Sequence, residues 1–225
     1  MADSESTCWT VIEAAAASSS QDREEFVRRY GPVVRAYLAA RWQSSPCLQD
    51  LDDATQEVFL ACFRPQGVLD RVDSGRGFRP FFYGVLRNVA LRFERKHGRR
   101  RERQAPTDAD LDDLAGDDES LSRVFDRAWA KALLQEAARR MAHHAREAGE
   151  AAVRRVELLR LRFQDQLPIR EIAARWVMDA GLLHHEYAKA RQEFKAALRE
   201  VVAFHHPDSA REIEQECANL LSLLR

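Results

Sequence analysis

Apolar side chains recur along most of this chain at the three- and four-residue spacing that is typical of amphipathic helices. The spacing predicts helices over residues 10–17, 18–42, 50–63, 79–97, 151–164, 169–176, 182–203 and 209–225, and a helical section that begins near Leu121. Pro32 is expected to bend or interrupt the second helix, because proline removes a backbone hydrogen bond. No stretch keeps the alternation of a β-strand. The pattern therefore predicts an all-α protein.

Two stretches separate the helical patterns. Residues 64–77 contain several glycines and a proline, which predicts an irregular loop. Residues 104–120 have no helical period and are strongly acidic, which is typical of a flexible acidic linker. We therefore expect two helical domains joined by this linker, with the boundaries 1–103 for the first domain, 104–120 for the linker, 121–206 for the second domain and 207–225 for a C-terminal helical extension.

The second domain contains a characteristic pair of helices. A short helix over 169–176 is followed by a tight turn over 177–181 and a longer helix over 182–203, and the helix over 151–164 precedes them. This order is typical of a helix-turn-helix, whose second helix enters the major groove of DNA through its N-terminal residues. The sequence therefore predicts a DNA-binding fold in this part of the chain.

The formal net charge of the 225 residues is −1, so no overall basic excess indicates a nucleic-acid ligand. The charges are segregated, however, because residues 92–103 carry seven Arg or Lys against two Glu. Aromatic side chains precede this basic run on the same predicted helix. Such a helix is suited to stacking on bases while neutralising phosphates, although a run of charges is also common on an ordinary solvated face.

Other function classes find little support. The four cysteines, Cys8, Cys47, Cys62 and Cys217, form no CxxC pair, which favours reduced and packed thiols in a cytoplasmic protein. Three pairs of adjacent histidines are expected at the surface rather than on a metal, since neighbours on a helix point about 100° apart. We expect no cofactor and no enzymatic activity, because no catalytic set of residues occurs in a suitable context. No signal peptide or membrane segment is expected.

Two motifs carry a family resemblance. The segments DLDDATQEVFLACF (50–63) and FRPFFYGVLRNVA (78–90) resemble region 2 of bacterial sigma factors of the extracytoplasmic-function group, and the helix-turn-helix resembles region 4 of the same group. The opening STCWTVIEAA, FDRAWA (125–130) and the closing EIEQECANLLSLL match a subgroup with a short C-terminal extension. The positions in register are Asp50, Asp53, Gln56, Phe59, Phe78, Arg79 and Asn88 in region 2, and Glu171, Ile172, Ala173, Met178, Gly181, Ala190 and Arg191 in region 4.

The resemblance implies three binding surfaces. The first would dock on a coiled coil of core RNA polymerase, unless it is an ordinary solvated face, through Asp50, Asp53, Gln56, Glu57 and Leu60. The second would capture an unstacked base of the −10 promoter element and its phosphates through Phe81, Tyr83, Arg87, Asn88, Arg92, Arg95, Lys96, Arg99 and Arg100. At least one of Phe81 and Phe82 is expected in the core. The third would read the −35 element through Leu182, His184, His185, Glu186, Lys189, Arg191 and Lys195.

Some positions depart from the family pattern. Phe81 stands where the family usually has Trp, Val177 replaces the turn glycine and Asp179 replaces a capping Ser. Glu186 stands where Arg or His is common, and a glutamate attracts no phosphate and can at best accept from a cytosine amino group. Upstream-element binding is therefore expected to be weak, highly specific or replaced by protein contacts.

The leading hypothesis is a cytoplasmic sigma factor that binds core RNA polymerase and melts promoter DNA. The alternative is a sigma-like regulatory protein that binds polymerase or an anti-sigma factor and reads DNA poorly. A stand-alone repressor is disfavoured by the weakly basic second helix of the helix-turn-helix. The acidic linker is expected either to mimic nucleic acid or to act as a tether. The helix over 209–225 is expected to cover an apolar groove, as an autoinhibitory or stabilising element.

Overall fold

The structure is a computed structural model, and it describes residues 20–64, 78–104, 118–204 and 210–222. The predicted helix over 10–17, most of the loop over 64–77, most of the acidic linker, Cys8 and the third histidine pair lie outside the described residues. Within the described ranges every regular element is helical, which confirms the all-α prediction. The elements are α1 (Ser20–Arg41), a short 3-10 helix (Pro46–Asp50), α2 (Leu51–Phe63), α3 (Phe78–Gln104), α4 (Asp118–Ala148), α5 (Glu150–Phe163), α6 (Ile169–Trp176), α7 (Ala180–Ala203) and α8 (Ala210–Ser222).

Helix α1 is continuous through Pro32, so of the bend or interruption expected there, the interruption does not occur. Pro32 is exposed on the solvent side of the helix. Tyr30, Val34 and Tyr37 are fully buried in the turns on either side of it. Because burial of a large side chain contributes about 2 kcal/mol, these contacts offset the hydrogen bond that proline removes.

The described chain divides into two compact units. The first contains α1, the 3-10 helix, α2, α3 and the beginning of α4 as far as Ala132. The second contains the remainder of α4, α5, α6, α7 and α8 as far as Ala218. The functional domains proposed from the sequence stay a prediction, and these units differ from them chiefly in where residues 118–132 pack.

An aromatic cluster fills the core of the first unit. The ring of Tyr30 in α1 stacks on that of Trp129 in α4, with centroids 5.4 Å apart and planes at 14°. Phe78 and Phe82 at the start of α3 stack on each other at 5.4 Å and also contact Trp129. Aromatic pairs contribute about 1 kcal/mol each beyond the burial of their area. The beginning of α4 is therefore part of the core that holds α3.

An ion pair adds a second link between α3 and α4. Arg79 contacts the carboxylate of Asp126 at 2.6 Å. Phe125, Asp126 and Trp129 all belong to the FDRAWA segment, which the sequence analysis assigned to the second domain. Their apolar spacing predicted a helix correctly, but the spacing alone does not say which partner the helix packs against.

A largely buried charge cluster fixes the middle of α3 against the end of α1. Glu94 accepts two hydrogen bonds from Arg41, with Nε to Oε1 at 2.7 Å and Nη2 to Oε2 at 3.1 Å. The indole Nε1 of Trp42 donates to the same Oε1 at 2.8 Å. The side chain of Arg41 is only 5% exposed, and its hydrogen bonds to Glu94 raise its pKa. Burial raises the pKa of the neighbouring Tyr37 to about 12, so its hydroxyl stays neutral.

One apolar cluster of the second unit joins α5, α6 and α7. Leu158 and Leu161 of α5 pack with Ile169, Ile172 and Ala173 at the beginning and middle of α6 and with Leu183 of α7. A second cluster joins α4 and α5 to α7 through Met141, Leu159, Ala190 and Ala197. Helix α5 thus packs against both α6 and α7.

We expect Glu94→Ala to lower the free energy of unfolding by about 3 kcal/mol, because it leaves the buried guanidinium of Arg41 without a counter-charge. Urea titration of the full chain, followed by Trp fluorescence and circular dichroism, measures the change. The matched control is Asp52→Ala, which removes an exposed ion pair with Arg35 (N to O, 2.5 Å) and should cost less than about 1 kcal/mol. Equal losses in the two variants would contradict a special role for the buried cluster.

Candidate functional site

An open groove lies between α2 and α3 in the first unit. Its volume is about 410 Å³. The lining residues come from the two facing helices and from the end of the 3-10 helix: Asp50, Asp53, Gln56, Glu57, Leu60, Arg92, Phe93 and Lys96. The groove therefore gathers all five residues that the sequence proposed for polymerase docking, together with two cations that it had proposed for DNA.

The presentation of these residues follows from the amphipathic character of α2. Ala54, Val58 and Cys62 are fully buried on one face of the helix, and burial raises the pKa of the Cys62 thiol to about 12. Asp53 and Leu60 lie on the exposed side, where the Leu60 side chain is 56% exposed. An exposed leucine beside polar groups is the composition expected of a protein-binding surface.

The charges lining the groove are partly neutralised within the protein. Glu57 on α2 contacts Arg92 on α3 at 3.3 Å, and Asp50 contacts Nε2 of His97 at 2.5 Å. The ammonium of Lys96 lies 5.9 Å from the centroid of the Phe93 ring. Among the described residues, Asp53 and Lys96 have no ion pair. The groove thus presents both signs of charge, with Asp53 and Lys96 outside the ion pairs and Asp50 hydrogen-bonded to the ring of His97.

The four proposed base-capturing residues differ in exposure. Phe82 is fully buried, which confirms that one of the two adjacent phenylalanines belongs to the core, and Phe81 is half-buried against Phe78. Tyr83 packs edge-on against Tyr37 and Phe125, with centroids 5.6 and 5.1 Å away. Arg87 and Asn88 are exposed on the surface of α3.

The basic run on α3 faces two directions. Arg92 and Lys96 line the groove, whereas Arg95 and Arg99 are exposed and do not line it. Asn88, Arg95 and Arg99 are seven and four residues apart, which brings them onto one face of the helix. The side chain of Arg100 lies outside the described residues. Cations on the face of Asn88 are suited to holding a phosphate backbone beside it.

The turn of the helix-turn-helix keeps its geometry despite the two unusual residues. Val177 adopts φ 53° and ψ 47°, a left-handed conformation that glycine adopts far more readily than a β-branched residue. The side-chain oxygen Oδ1 of Asp179 accepts a hydrogen bond from the backbone N–H of Leu182 at 2.9 Å. Asp179 therefore caps α7 as a serine would, while Val177 carries local strain.

The N-terminal part of α7 presents few open cations. Leu182 is 64% exposed, and His184 and His185 are exposed beside it. Glu186 accepts a hydrogen bond from Arg155 of α5 at 3.1 Å and also pairs with Lys189 at 3.4 Å. The Arg155 hydrogen bond lowers the pKa of Glu186.

Arg155 also pairs with Glu193 at 2.7 Å, so it ties two turns of α7 to α5. The sequence analysis missed this residue, because helical spacing gives no information on contacts between helices. An arginine at position 186 would face Arg155, so Glu186→Arg would replace this ion pair between α5 and α7 with a repulsion.

The C-terminal part of α7 carries a basic row that contacts α8. Arg191, Lys195 and Arg199 are spaced four residues apart, which brings them onto one side of the helix. The guanidinium of Arg191 lies 5.9 Å from the Tyr187 ring centroid. Glu214 of α8 pairs with Lys195 at 3.5 Å and with Arg199, and the Arg199 hydrogen bond lowers the pKa of Glu214. The sequence analysis expected an apolar contact from this helix and missed the ionic one.

The described residues offer no site for a metal ion. No group of three or more His, Cys, Asp or Glu lies together among them. Cys47, Cys62 and Cys217 are buried free thiols, as the cysteine spacing predicted. Burial raises the pKa of all three, which disfavours the reactive thiolate. None of the described helices combines the length and apolarity that crossing a membrane requires.

A helical domain with a mixed-charge groove on one side of α3 and an exposed asparagine with arginines on another side has the character of a module that binds protein and nucleic acid. Residues 26–100 match the family described as sigma-70 region 2. The matched segment includes α2, the groove and Asn88, and it ends before the helix-turn-helix. The matched segment makes up 75 of the 225 residues, so it indicates a sigma-70 region 2-like domain in this part of the chain. A search among curated proteins found no match.

We expect Val177→Gly to raise the free energy of unfolding by about 1 kcal/mol, because glycine relieves the left-handed strain and Val177 is 92% exposed, so little packing is lost. The matched control is Ala174→Gly in α6, where the backbone is helical and glycine should cost about 1 kcal/mol. Urea unfolding of both variants gives the two values. A loss of stability in Val177→Gly would show that the turn is not strained.

Proposed function

We propose that this protein is a sigma factor of the extracytoplasmic-function group, with a short C-terminal extension, that acts in the cytoplasm. It binds core RNA polymerase and directs initiation by recognising and melting promoter DNA. In this proposal the groove between α2 and α3 docks on polymerase. The exposed face of α3 around Asn88 captures a base of the −10 element, and α7 contacts the −35 element.

The observation that carries the proposal is that the segment matching sigma-70 region 2 contains the groove between α2 and α3. The five residues proposed from the family motif line this groove, although they are spread over eleven positions of the chain. A mixed-charge and partly apolar surface is suited to a protein partner. Asn88 lies on the same helix but away from the groove, so protein and DNA contacts need not exclude each other.

The direct test combines the purified chain with core RNA polymerase from its own host. We expect a stable complex in gel filtration and transcripts with defined start sites from genomic fragments. Transcript mapping after overexpression then gives the −10 and −35 sequences. The proposal is abandoned if the chain neither binds core enzyme nor directs specific transcripts.

The internal pairing of α7 supports a second candidate, a sigma-like regulator that binds polymerase or an anti-sigma factor and reads DNA poorly. Glu186 and Lys189 pair with each other, and Lys195 pairs with Glu214, so several of the proposed DNA contacts already have partners in the protein. This candidate predicts core binding without dependence on promoter sequence. Start sites that do not share a −35 sequence would favour it.

We expect Asn88→Ala to slow open-complex formation about tenfold or more, because contacts to an unstacked base contribute about 1–3 kcal/mol. Core binding and the thermal unfolding midpoint should stay near their wild-type values, since Asn88 is exposed. Permanganate footprinting measures opening, and competition for core enzyme measures binding. A parallel loss of binding and opening would mean that Asn88 is a folding residue.

We expect Glu214→Gln to tighten binding to duplex promoter DNA, because it releases Lys195 and Arg199 for phosphate contacts. The slope of log K against log salt concentration should steepen by about 1–2, as each added phosphate contact contributes about 0.9. Fluorescence anisotropy at several salt concentrations measures both quantities.

The control is Glu157→Gln, which changes the net charge equally but removes a partner of Arg160 on α5, and Arg160 keeps its second ion pair with Asp165. An unchanged slope in Glu214→Gln would contradict a role for α8 in covering phosphate-binding cations.

A further inference from the structure

We infer that the groove between α2 and α3 is a docking surface that pairs with charges of both signs on the polymerase. Lys96 would pair with a negative charge of the polymerase, and Asp53 would pair with a positive one. We call this arrangement the two-signed dock. This inference rests on the proposed function and deepens it. It assigns Lys96, with Arg92 beside it, to protein docking rather than to the phosphates of the −10 element. The partner it specifies is a helical segment that carries a cation and an anion on the side facing the groove.

The first argument is the placement of the cations. The basic run of α3 divides between two faces, and Arg92 and Lys96 share the groove with every acidic docking candidate. Arg95, the direct neighbour of Lys96, is exposed and does not line the groove. Neighbours on a helix point about 100° apart, so Lys96 and Arg95 cannot both serve the same straight ligand surface.

The second argument is the charge balance within the groove. Glu57 is paired with Arg92, so the two charges are partly neutralised within the protein, and the carboxylate of Asp50 is hydrogen-bonded to the ring of His97. Of the charged groups that line the groove, Asp53 on α2 and Lys96 on α3 have no ion pair with another described residue. A purely basic partner would be repelled by Lys96, and a purely acidic one, such as a phosphate backbone, by Asp53.

The third argument is the apolar surface between the charges. Leu60 is more than half exposed, and the ring of Phe93 lies beneath the ammonium of Lys96. A phosphate backbone gains nothing from these two side chains, whereas an apolar residue of a protein helix would bury them. Polar groups around an exposed apolar centre are the arrangement of a protein interface.

The test compares two neighbouring charge reversals, Lys96→Glu and Arg95→Glu, in the full chain. Core binding is measured without DNA by competition against a labelled wild-type chain, and promoter opening is measured by permanganate footprinting. We expect Lys96→Glu to weaken core binding about tenfold, because a like charge then faces the partner. Arg95→Glu should bind core enzyme like the wild type and lose promoter opening at elevated salt.

A further variant tests the polarity of the dock. Asp53→Lys combined with Lys96→Asp keeps the net charge and the two open charges but exchanges their positions. We expect this double variant to bind core enzyme no better than Asp53→Lys or Lys96→Asp alone, since the positions of the positive and negative charges on the partner are fixed. Circular dichroism and thermal unfolding verify that each variant is folded.

The outcomes separate the inference from the proposed function. If the wild-type chain does not bind core enzyme, the proposed function fails and the inference fails with it. If the wild type binds, equal core binding by Lys96→Glu and Arg95→Glu overturns the inference alone and returns Lys96 to the DNA surface. If the double variant with exchanged charges binds core enzyme as tightly as the wild type, Lys96 and Asp53 do not each pair with a fixed opposite charge, and the inference is wrong on this point.

Discussion

The long helix α3 performs its two proposed roles only because its rotation about its own axis is fixed. The cluster of Glu94 with Arg41 and Trp42 provides this constraint, since a bidentate ion pair has both a preferred distance and a preferred plane. A purely apolar contact would hold the helix in place while allowing it to turn. Because Glu94 faces α1, Arg92 and Lys96 face the groove beside α2, and Asn88 faces solvent. Burying this charge pair costs desolvation free energy, and what it contributes is a fixed orientation of α3 as well as stability.

In the second unit, ion pairs connect α7 to its neighbouring helices near the surface, in contrast to the buried cluster of Glu94. Arg155 joins α5 to two positions of α7, and Glu214 joins α8 to two more. These pairs are half-buried or exposed, so each contributes little to stability. Their larger effect is on the electrostatic potential of α7, because they neutralise side chains that would otherwise attract phosphate. In the proposed contact of α7 with DNA, affinity would therefore depend on which of these internal partners remain in place.

Much of the fold could be predicted from the sequence, and less of the site. Helical spacing predicted the bounds of α6, which begins at Ile169 and ends at Trp176 as expected. The same spacing predicted a helix through Phe125 and Trp129 but not their aromatic contacts with α1 and α3, because periodicity identifies a buried face without identifying what covers it. It also treated the basic residues of α3 as one group. Only the placement of α2 beside α3 separates Lys96 from Arg95.

The contribution of Trp129 to the aromatic core has a consequence for how such chains evolve. The acidic stretch between α3 and α4 looks like a natural point for recombination between modules. A crossover there would separate Tyr30 and Phe78 from Trp129 and expose several aromatic rings at once. A donor of the chain from α4 onward would therefore have to supply an aromatic side chain at the position of Trp129 to keep this core closed.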